Sequence, residues 1–306
     1  MIKIIATAAS AEQGKALLEV GVDMLYVGED AFGLRLPTSF SRAEIETMVE
    51  IAHSQNKKVV VAVNALMHND RIEKVVSYLQ FLEKCRVDAI TVGDPGVIHL
   101  LKKHNLNIPF IYDAQTIVTS AKQINFWAKR GATGAVLARE LTYEELEAIG
   151  AQTTVPLEIL VYGATCIHQS LRPLASNYLQ YTNQDVSPSK KRGLYITEKN
   201  DPDSRYSIYE DINGTHIFAS YDVNLLTQLD KVMEANLHHW KLDGLFTKGD
   251  DFVQIARLFV EAKNALLEKR WSADYMQQLN EKLHEYHPKD RPLDEGFFVK
   301  DPTEIE

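Results

Sequence analysis

Short runs of aliphatic residues alternate with amphipathic helical patterns from residue 3 onward. Aliphatic, β-branched runs with few polar positions are typical of strands that are buried on both faces, as in parallel sheets. The helical stretches begin at capping residues, such as Ser10 and the capping-box pair Ser41 and Glu44. Strands are predicted at 3–7, 23–28, 57–64, 89–93, 108–112, 135–138, from 157 to Gly163, and at 238–242.

This strand–helix order predicts an α/β fold of the (β/α)8 TIM-like barrel class. Such barrels need ~250 residues, and the chain has 306, of which 45% are hydrophobic. We predict that segments 1–175 and 216–270 form the barrel. The strand–helix alternation stops at 176–215, which is predicted to be a small β-rich insertion after strand 7. A short strand is predicted at 217–220, where the chain returns to the barrel. Residues 271–306 are predicted to form a C-terminal helix and an extended tail.

Charge and cysteine content narrow the range of functions. The 33 Lys and Arg against 42 Asp and Glu give a net charge of −9, which repels polyanions unless basic residues gather on one face. The two cysteines, Cys85 and Cys166, are too few for a disulfide scaffold or a cysteine-only metal cage. No apolar run approaches the ~20 residues of a membrane span, and no signal-peptide pattern is present. We expect a cytoplasmic protein that does not contact membranes and does not bind nucleic acid by itself.

Polar side chains follow the predicted strand ends and indicate one pocket, because these ends converge on a single mouth in a barrel. For each residue the alternative is a helix cap or a structural salt bridge, and Asp94 before Pro95 suits a cap. Glu158 should need Arg139 or Lys241 as a partner, since a lone buried carboxylate is costly. Asp243 also falls at a strand end. Catalytic candidates are Asp113, Gln115, Arg139, Glu158 and Cys166, and candidate substrate-binding residues are Arg35, Asn64, His68, Asp94, Arg139, Arg172 and Lys241.

Cys166 and His168 follow the seventh predicted strand and suggest a thiol nucleophile with its base. A thiolate forms at neutral pH only beside a base or a positive group. The alternative is a plain loop cysteine, since nucleophile and base usually come from separate segments. His68 with Asp70 lacks the further ligands that a metal site requires, so no metal is predicted.

Three arginines, Arg35, Arg139 and Arg172, are best placed to bind a small anion, because guanidinium groups grip carboxylates through paired hydrogen bonds. Internal salt bridges are the alternative for each of them. The basic run 190–192, close to several tyrosines, predicts either an RNA contact or a solvated loop.

Eight motifs occur in order along the chain: YVGEDAFGLR (26–35), NALMHND (64–70), GDPGV (93–97), DAQTIVTS (113–120), VLARELT (136–142), LEILVYGATC (157–166), LASNYL (174–179) and WKLDG (240–244). Together they make the chain resemble the collagenase-like peptidases of unassigned catalytic type, peptidase family thirty-two. The match covers most of the chain. Members of this family include bacterial RNA-hydroxylation and ubiquinone-hydroxylation proteins.

Family members that carry an iron–sulfur cluster have a GALCxxxxxGRC motif, a CAQPC-like segment and one later cysteine. Cys166 fits the first position, but 171–173, 189–192 and 222–224 contain no cysteine where the others are expected. A [4Fe–4S] cluster normally takes four thiolates. The resemblance therefore implies that this chain alone binds no cluster, and that Cys166 is a vestigial ligand.

Many Gram-positive bacteria have two such family members, a short one without the later cysteines and a longer, cysteine-bearing one. Both are implied in forming 5-hydroxyuridine at the wobble position of tRNA, with prephenate as a required metabolite. The length of this chain and its tail DEGFFVKDP (294–302) resemble the short member. The resemblance thus implies a heteromer with the longer paralogue, which bears the cluster, contact with tRNA through that complex, and a small anionic metabolite in the barrel. A collagenase-like peptidase and a purely structural subunit remain the alternatives.

Overall fold

Parallel strands close into a barrel in the computed structural model, which describes residues 1–301 and 303. The strands are β1 (Lys3–Thr7), β2 (Met24–Val27), β3 (Lys58–Ala62), β4 (Ala89–Val92), β5 (Phe110–Tyr112), β6 (Ala132–Val136), β7 (Leu157–Ser170), β8 (Leu194–Glu198), β9 (Asp201–Asp211), β10 (Gly214–Asn224), β11 (His239–Leu242) and β12 (Leu293–Asp294). Strands β1 to β7 pair in order, and β11 lies between β7 and β1. The predicted (β/α)8 TIM-like barrel is confirmed.

Helices surround the barrel, and the first two begin at the predicted caps Ser10 and Ser41. Ser41 and Thr142 each form a capping box, with Glu44 and Glu145. The helices are α1 (Ala11–Glu19), α2 (Arg42–Ser54), α3 (Asn69–Cys85), α4 (Pro95–Lys103), α5 (Ala121–Ala128), α6 (Tyr143–Gln152), α7 (Leu174–Tyr181), α8 (Leu229–Glu234), α9 (Gly249–Leu267) and α10 (Ala273–Tyr286). Short 3-10 turns lie at Gln115–Ile117, Lys190–Arg192, Leu226–Gln228 and Gly296–Val299.

The barrel interior changes from apolar to polar along β3 and β5. Inward-facing positions alternate with a period of two, so Ile5, Val60 and Ile111 pack together inside the barrel. Two residues beyond Ile111 the buried position is Asp113, and four residues beyond Val60 it is Asn64. The apolar side chains therefore fill one half of the barrel, and the other half carries the polar groups.

Strand β7 is longer than predicted. It runs for 14 residues and does not end at Gly163. Gly163 has a φ of +122°, and a Cβ there would lie 2.4 Å from the carbonyl oxygen of Asp243. Only glycine fits this close approach without strain, and it lets β7 pass the end of β11 and continue out of the barrel. Cys166 and His168 consequently lie on the strand and not in a loop.

The excursion after β7 extends the barrel sheet. Strand β10 pairs antiparallel with the outer part of β7, and β9 and β8 follow in the same sheet. The predicted limits of the insertion, 176 and 215, both fall inside elements, since α7 contains the first and β10 the second. The short strand predicted at 217–220 is the middle of the 11-residue β10.

The C-terminal segment packs on the barrel beyond α10. Strand β12 pairs parallel with β10, and Phe298 is buried. Arg291 is also buried and donates to Asp222 Oδ1 from Nε at 2.9 Å and from Nη2 at 2.6 Å. The tail that was predicted to be extended is therefore held against the barrel as far as it is described; residues 302 and 304–306 lie outside the described part of the chain.

Candidate functional site

A polar cavity opens at the C-terminal end of the barrel strands. It encloses about 830 Å³, counting the space at its open mouth. This is the end at which barrel enzymes place their active sites. Its charged and hydrogen-bonding lining residues are Thr7, Tyr26, Arg35, Asn64, Asp113, Gln115, Thr116, Arg139, Glu140, Glu158, Thr165, Cys166, Lys241 and Asp243.

The floor of the cavity is a buried hydrogen-bond network. Asn64 Nδ2 donates to Asp113 Oδ2 at 2.6 Å and lies 3.4 Å from the Tyr26 hydroxyl. The amide oxygen of Asn64 accepts from the backbone N–H of Leu34 at 3.0 Å. The Tyr26 hydroxyl also bonds Thr91 at 2.9 Å. These contacts fix Asp113, whose two oxygens face Asn64 and the backbone N–H of Gln115.

Lys241 and Glu158 form a buried ion pair beside this network. Their nearest nitrogen and oxygen are 3.7 Å apart, and the Lys241 ammonium lies 3.1 Å from the centre of the Tyr26 ring. Burial raises the pKa of Glu158 although Lys241 opposes this, and burial lowers the pKa of Lys241. The expected partner of Glu158 is thus present, but desolvation drives both groups toward their neutral forms.

Arg139 and Asp243 form a second, looser pair. Arg139 Nη2 lies 3.9 Å from Asp243 Oδ2, while its Nη1 donates to the carbonyl oxygen of Ala164 at 2.6 Å. Burial raises the pKa of Asp243 and lowers that of Arg139. Most donors of this guanidinium group therefore face the cavity without a close carboxylate.

Arg35 lies at the rim of the cavity. Its Nη1 donates to Gln169 Oε1 at 2.9 Å, which is a neutral partner. Arg35 has a φ of 55°, and Gln115, which also lines the cavity, has a φ of 59°. Non-glycine residues in this left-handed region cost of order 1–3 kcal/mol and cluster at functional sites. Two such residues in the lining support a binding role for the mouth.

Cys166 has a different neighbour from the one predicted. His168 is exposed, and its backbone oxygen, not its ring, accepts from the Cys166 thiol at 3.3 Å. The ring on the same side as the thiol is that of His216, on β10: Cys166 pairs with Phe218, two residues beyond His216, and packs against the apolar cluster that contains Tyr209, whose ring centre is 5.0 Å from that of His216. His216 is fully buried, and its Nε2 is 2.9 Å from Asp211 Oδ1. The sequence prediction of His168 as the base is therefore wrong.

Neighbouring charges shift the pKa values of both Cys166 and His216. Burial would raise the pKa of Cys166, but His216, Arg35 and Arg139 outweigh it, and the thiol pKa lies below its usual value. Burial would lower the pKa of His216, but Asp211, which is bonded to Nε2, and the nearby Cys166 raise it. Both pKa shifts are therefore in the direction of a thiolate beside an imidazolium.

Three predicted binding residues lie outside the cavity. His68 is exposed at the start of α3, and its side chain makes no capping bond. Asp94 caps α4 by accepting from the backbone N–H of Gly96 at 2.7 Å, which is the alternative that the sequence allowed. Arg172 is exposed beyond the end of β7. The structure brings together Arg35, Asn64, Asp113, Gln115, Arg139, Glu158, Cys166 and Lys241.

The residues do not fit a resident [4Fe–4S] cluster. Asp222, one of the residues at the expected position of the last cysteine, is bound to Arg291. Lys190, in the segment that replaces the second cysteine group, donates to the carbonyl oxygen of Leu36. Throughout 1–301 and 303, no set of three or more His, Cys, Asp or Glu side chains is arranged to hold a metal ion. None of the helices in that part of the chain combines the length and apolar character that crossing a membrane requires.

The fold and the polar mouth define a TIM-barrel protein with its site at the C-terminal ends of the strands. The chain belongs to peptidase family U32, whose profile matches residues 9–306. A solved structure of a U32 peptidase superimposes over 79% of this chain and 92% of its own, with a TM-score of 0.52 and 16% sequence identity. That likeness supports the fold.

Relatives of known sequence carry names from RNA hydroxylation. The chain is 33% identical to tRNA hydroxylation protein P2 of Bacillus subtilis, over 98% of both chains. It is 26% identical to tRNA hydroxylation protein P of Escherichia coli over 73% of this chain, and the match spans 59% of that longer protein. It is 25% identical to the 23S rRNA 5-hydroxycytidine C2501 synthase of E. coli over 88% of this chain and 40% of that protein.

Proposed function

We propose that this protein is a subunit of a system that hydroxylates tRNA at the wobble uridine. The observation that carries the proposal is its 33% identity to a tRNA hydroxylation protein over 98% of both chains. Further relatives are named for hydroxylation of tRNA and of rRNA. The alternative activity, cleavage of peptides, is supported by the family name alone.

We further propose that the redox cofactor belongs to a longer paralogue. The chain is also 24% identical to tRNA hydroxylation protein P1 of B. subtilis, over 88% of this chain and 66% of that protein. With one thiol at the barrel mouth, this chain cannot supply the four thiolates of an iron–sulfur cluster. A heteromer with a cysteine-bearing paralogue supplies them and provides the contact with tRNA that a chain of net charge −9 does not favour.

The cavity supports a role for this subunit in binding a small carboxylate, and we propose prephenate. Arg35 has one neutral partner and Arg139 has only a distant carboxylate. Paired hydrogen bonds from guanidinium groups suit carboxylate ligands.

A gene deletion tests the role in hydroxylation. We expect 5-hydroxyuridine, measured by mass spectrometry of tRNA nucleosides, to disappear in the deletion strain and to return with the wild-type gene. The Arg35→Gln, Arg139→Gln double variant should restore much less, and Arg172→Gln, which changes an exposed arginine outside the cavity, should restore it fully. Persistent hydroxylation in a strain that expresses the longer paralogue without this chain would overturn the proposal.

Purification from the native host tests the heteromer and its ligand separately. The longer paralogue should copurify with a tagged chain, and iron and sulfide should follow the paralogue. Prephenate should raise the melting temperature of the isolated chain, and the arginine double variant should lose that shift. Stoichiometric iron in the isolated chain would contradict the division of roles.

A further inference from the structure

The thiol of Cys166 stands at the mouth of the cavity with a buried histidine and an aspartate behind it. Cys166 lines both the cavity and the groove that adjoins it, so Sγ is reachable from solvent. His216 is fully buried, and Asp211 Oδ1 holds its Nε2 at 2.9 Å. The backbone N–H of Asn213 fixes the same oxygen at 2.7 Å. Cys166, His216 and Asp211 thus follow one another in space as nucleophile, base and orienting group, the order found in enzymes that use a thiol or hydroxyl nucleophile.

Three buried polar atoms around Cys166 have no hydrogen-bond partner. They are Nδ1 of His216, the hydroxyl of Tyr209, whose ring centre is 5.0 Å from that of His216, and Oγ1 of Thr165, the residue before Cys166. Thr165 is 5% exposed and lines the cavity. Buried polar atoms are nearly always satisfied, and an orphaned hydroxyl at a cavity wall calls for a ligand. The region where partners are missing therefore coincides with the nucleophile.

A distortion of the sheet sets this arrangement. Phe218 pairs with Cys166 and Asp222 pairs with Ala164, so three residues of β10 stand opposite Thr165 alone. Bulges of this kind re-aim side chains and occur next to active sites. The bulge brings Thr165 and Cys166, neighbours that would face opposite sides of a regular strand, to the same cavity wall.

We propose that Cys166, His216 and Asp211 form a nucleophilic thiol site that adds reversibly to the carbonyl carbon of a small 2-oxo carboxylate. Arg35 and Arg139 hold the carboxylate, and Thr165 donates to the oxygen that the addition creates. Sγ forms a bond to the carbonyl carbon, the π electrons of the C=O bond move to oxygen, and the imidazolium proton of His216 passes to that oxygen. The products are a thiohemiketal, which keeps the negative charge of the carboxylate, and a neutral imidazole, with no change in oxidation state. The carboxylate-binding part of this site rests on the proposed binding of a small carboxylate by Arg35 and Arg139, whereas the reactivity of the thiol is tested separately from tRNA hydroxylation.

One contact opposes the ionisation of Cys166. In the thiol form, Sγ donates to the backbone oxygen of His168 at 3.3 Å, which stabilises the neutral group. The charged and titratable groups that face the thiol and its histidine come from several elements. They are Asp30, Asp211, His216, Arg35, Arg139 and the phenol of Tyr209.

Alkylation of the intact chain tests the nucleophile, with Cys85 as an internal control. Cys85 is half-buried, and burial raises its pKa. At pH 6.5 we expect iodoacetate to modify Cys166 at least about tenfold faster than Cys85, since each unit of thiol pKa changes the thiolate fraction about tenfold. His216→Gln should slow Cys166 by a similar factor. Equal rates for the two cysteines across pH 6–9 would overturn the proposal.

The charge of the reagent tests the arginines. Iodoacetate should outpace neutral iodoacetamide at Cys166, and Arg35→Gln should reverse this preference without changing Cys85. Arg35 is only partly buried, so this variant remains informative if His216→Gln does not fold. Arg172→Gln, at an exposed arginine, should keep the preference for iodoacetate. An unchanged preference in Arg35→Gln would remove the carboxylate-binding part of the proposal.

Protection from alkylation tests the covalent step. Millimolar pyruvate should slow iodoacetamide modification of Cys166 severalfold and leave Cys85 unaffected. Lactate has the same charge and size but no carbonyl carbon, so it should protect much less. In Thr165→Val, pyruvate should slow alkylation by a smaller factor, relative to the rate of the same variant without pyruvate, than it does in the wild type. Equal protection by lactate would contradict covalent addition.

Discussion

The two ends of the barrel treat buried charge in opposite ways. At the N-terminal end, Asp23 accepts from Lys263 at 2.9 Å, from Lys3 at 3.2 Å and from the backbone N–H of Ile4 at 3.0 Å. Burial opposes ionisation of Asp23, but these donors outweigh it and lower the pKa. The charge is therefore stabilised where it ties β2 to β1 and α9.

At the C-terminal end, charges are paired at longer distances and burial dominates. The Lys241–Glu158 and Arg139–Asp243 separations are 3.7 and 3.9 Å. Burial raises the pKa of both acids and lowers the pKa of both bases. Groups held this way are ready to bind a ligand or to move a proton, which stability alone would not require. The comparison separates a structural end from a functional one.

The largest effect is expected when the buried pair of the functional end is broken. Lys241→Met leaves Glu158 without its cation, and removing one partner of a buried pair costs about 3–5 kcal/mol of unfolding free energy. Denaturant unfolding at pH 8 measures this. Because the pKa of Glu158 is raised, the carboxyl protonates as the pH falls, and the loss should shrink at pH 5.

The matched control for this prediction neutralises both partners. In the Lys241→Met, Glu158→Gln double variant, no buried charge is left alone, so most of the stability should return. A single variant that loses less than about 1 kcal/mol would show that water already screens Glu158.

The structural end should respond with a smaller loss. Asp23→Asn keeps the shape but removes the charge that two lysines share, and hydrogen bonds to a charged group contribute about 1.5–3 kcal/mol. Because the pKa of Asp23 is lowered, this stability is present above the unfolded pKa and is lost as the pH falls through the folded one. The unfolding free energies of wild type and variant should therefore become equal at acidic pH. The exposed Asp290→Asn should leave the unfolding free energy unchanged at every pH.

His239, at the same end of the barrel, also makes stability depend on pH, but here the neutral form of the side chain is the one that the fold favours. His239 begins β11 beside Lys3, and burial, with the positive charges nearby, lowers its pKa to about 4. The unfolded chain therefore binds the proton first, and stability falls as the pH drops from about 6.5 toward 4. With screening at this partly exposed site allowed for, the loss should be about 1–2 kcal/mol. In His239→Gln, the unfolding free energy should fall less between these pH values than it does in the wild type. Equal slopes of unfolding free energy against pH in the two proteins would contradict the prediction.

The barrel was predictable because its signals are local. Each strand of the barrel is a short aliphatic run, and caps such as Ser41 and Thr142 mark helix starts within four residues. The pocket residues followed from the same order, since polar groups just past parallel strands meet at one mouth. Asp113, Arg139 and Glu158 were found in this way.

What the sequence did not reveal depends on pairing between distant segments. His216 and Asp211 reach Cys166 because β10 turns back along β7, and the bulge beside Thr165 leaves no mark in the hydrophobic pattern. His68 and Arg172 lie outside the cavity for a related reason: proximity in sequence to a strand end does not fix the direction of a side chain. A polar histidine inside the pattern GTHIFAS was the one available signal, because a strand histidine needs a partner when it is buried.

The smallest effect on stability is expected at the rim of the functional end. Arg35 makes one hydrogen bond, to the neutral side chain of Gln169, and surface substitutions away from buried networks usually change stability by less than about 0.5 kcal/mol. Arg35→Gln keeps a long polar side chain at the same strained φ of 55°, so the unfolding free energy should stay within that limit. Binding of a small carboxylate, measured by calorimetry, should weaken severalfold at the same time. A loss of stability as large as that of Asp23→Asn would show that Arg35 stabilises the fold, and it would contradict the distinction between a structural and a functional end of the barrel.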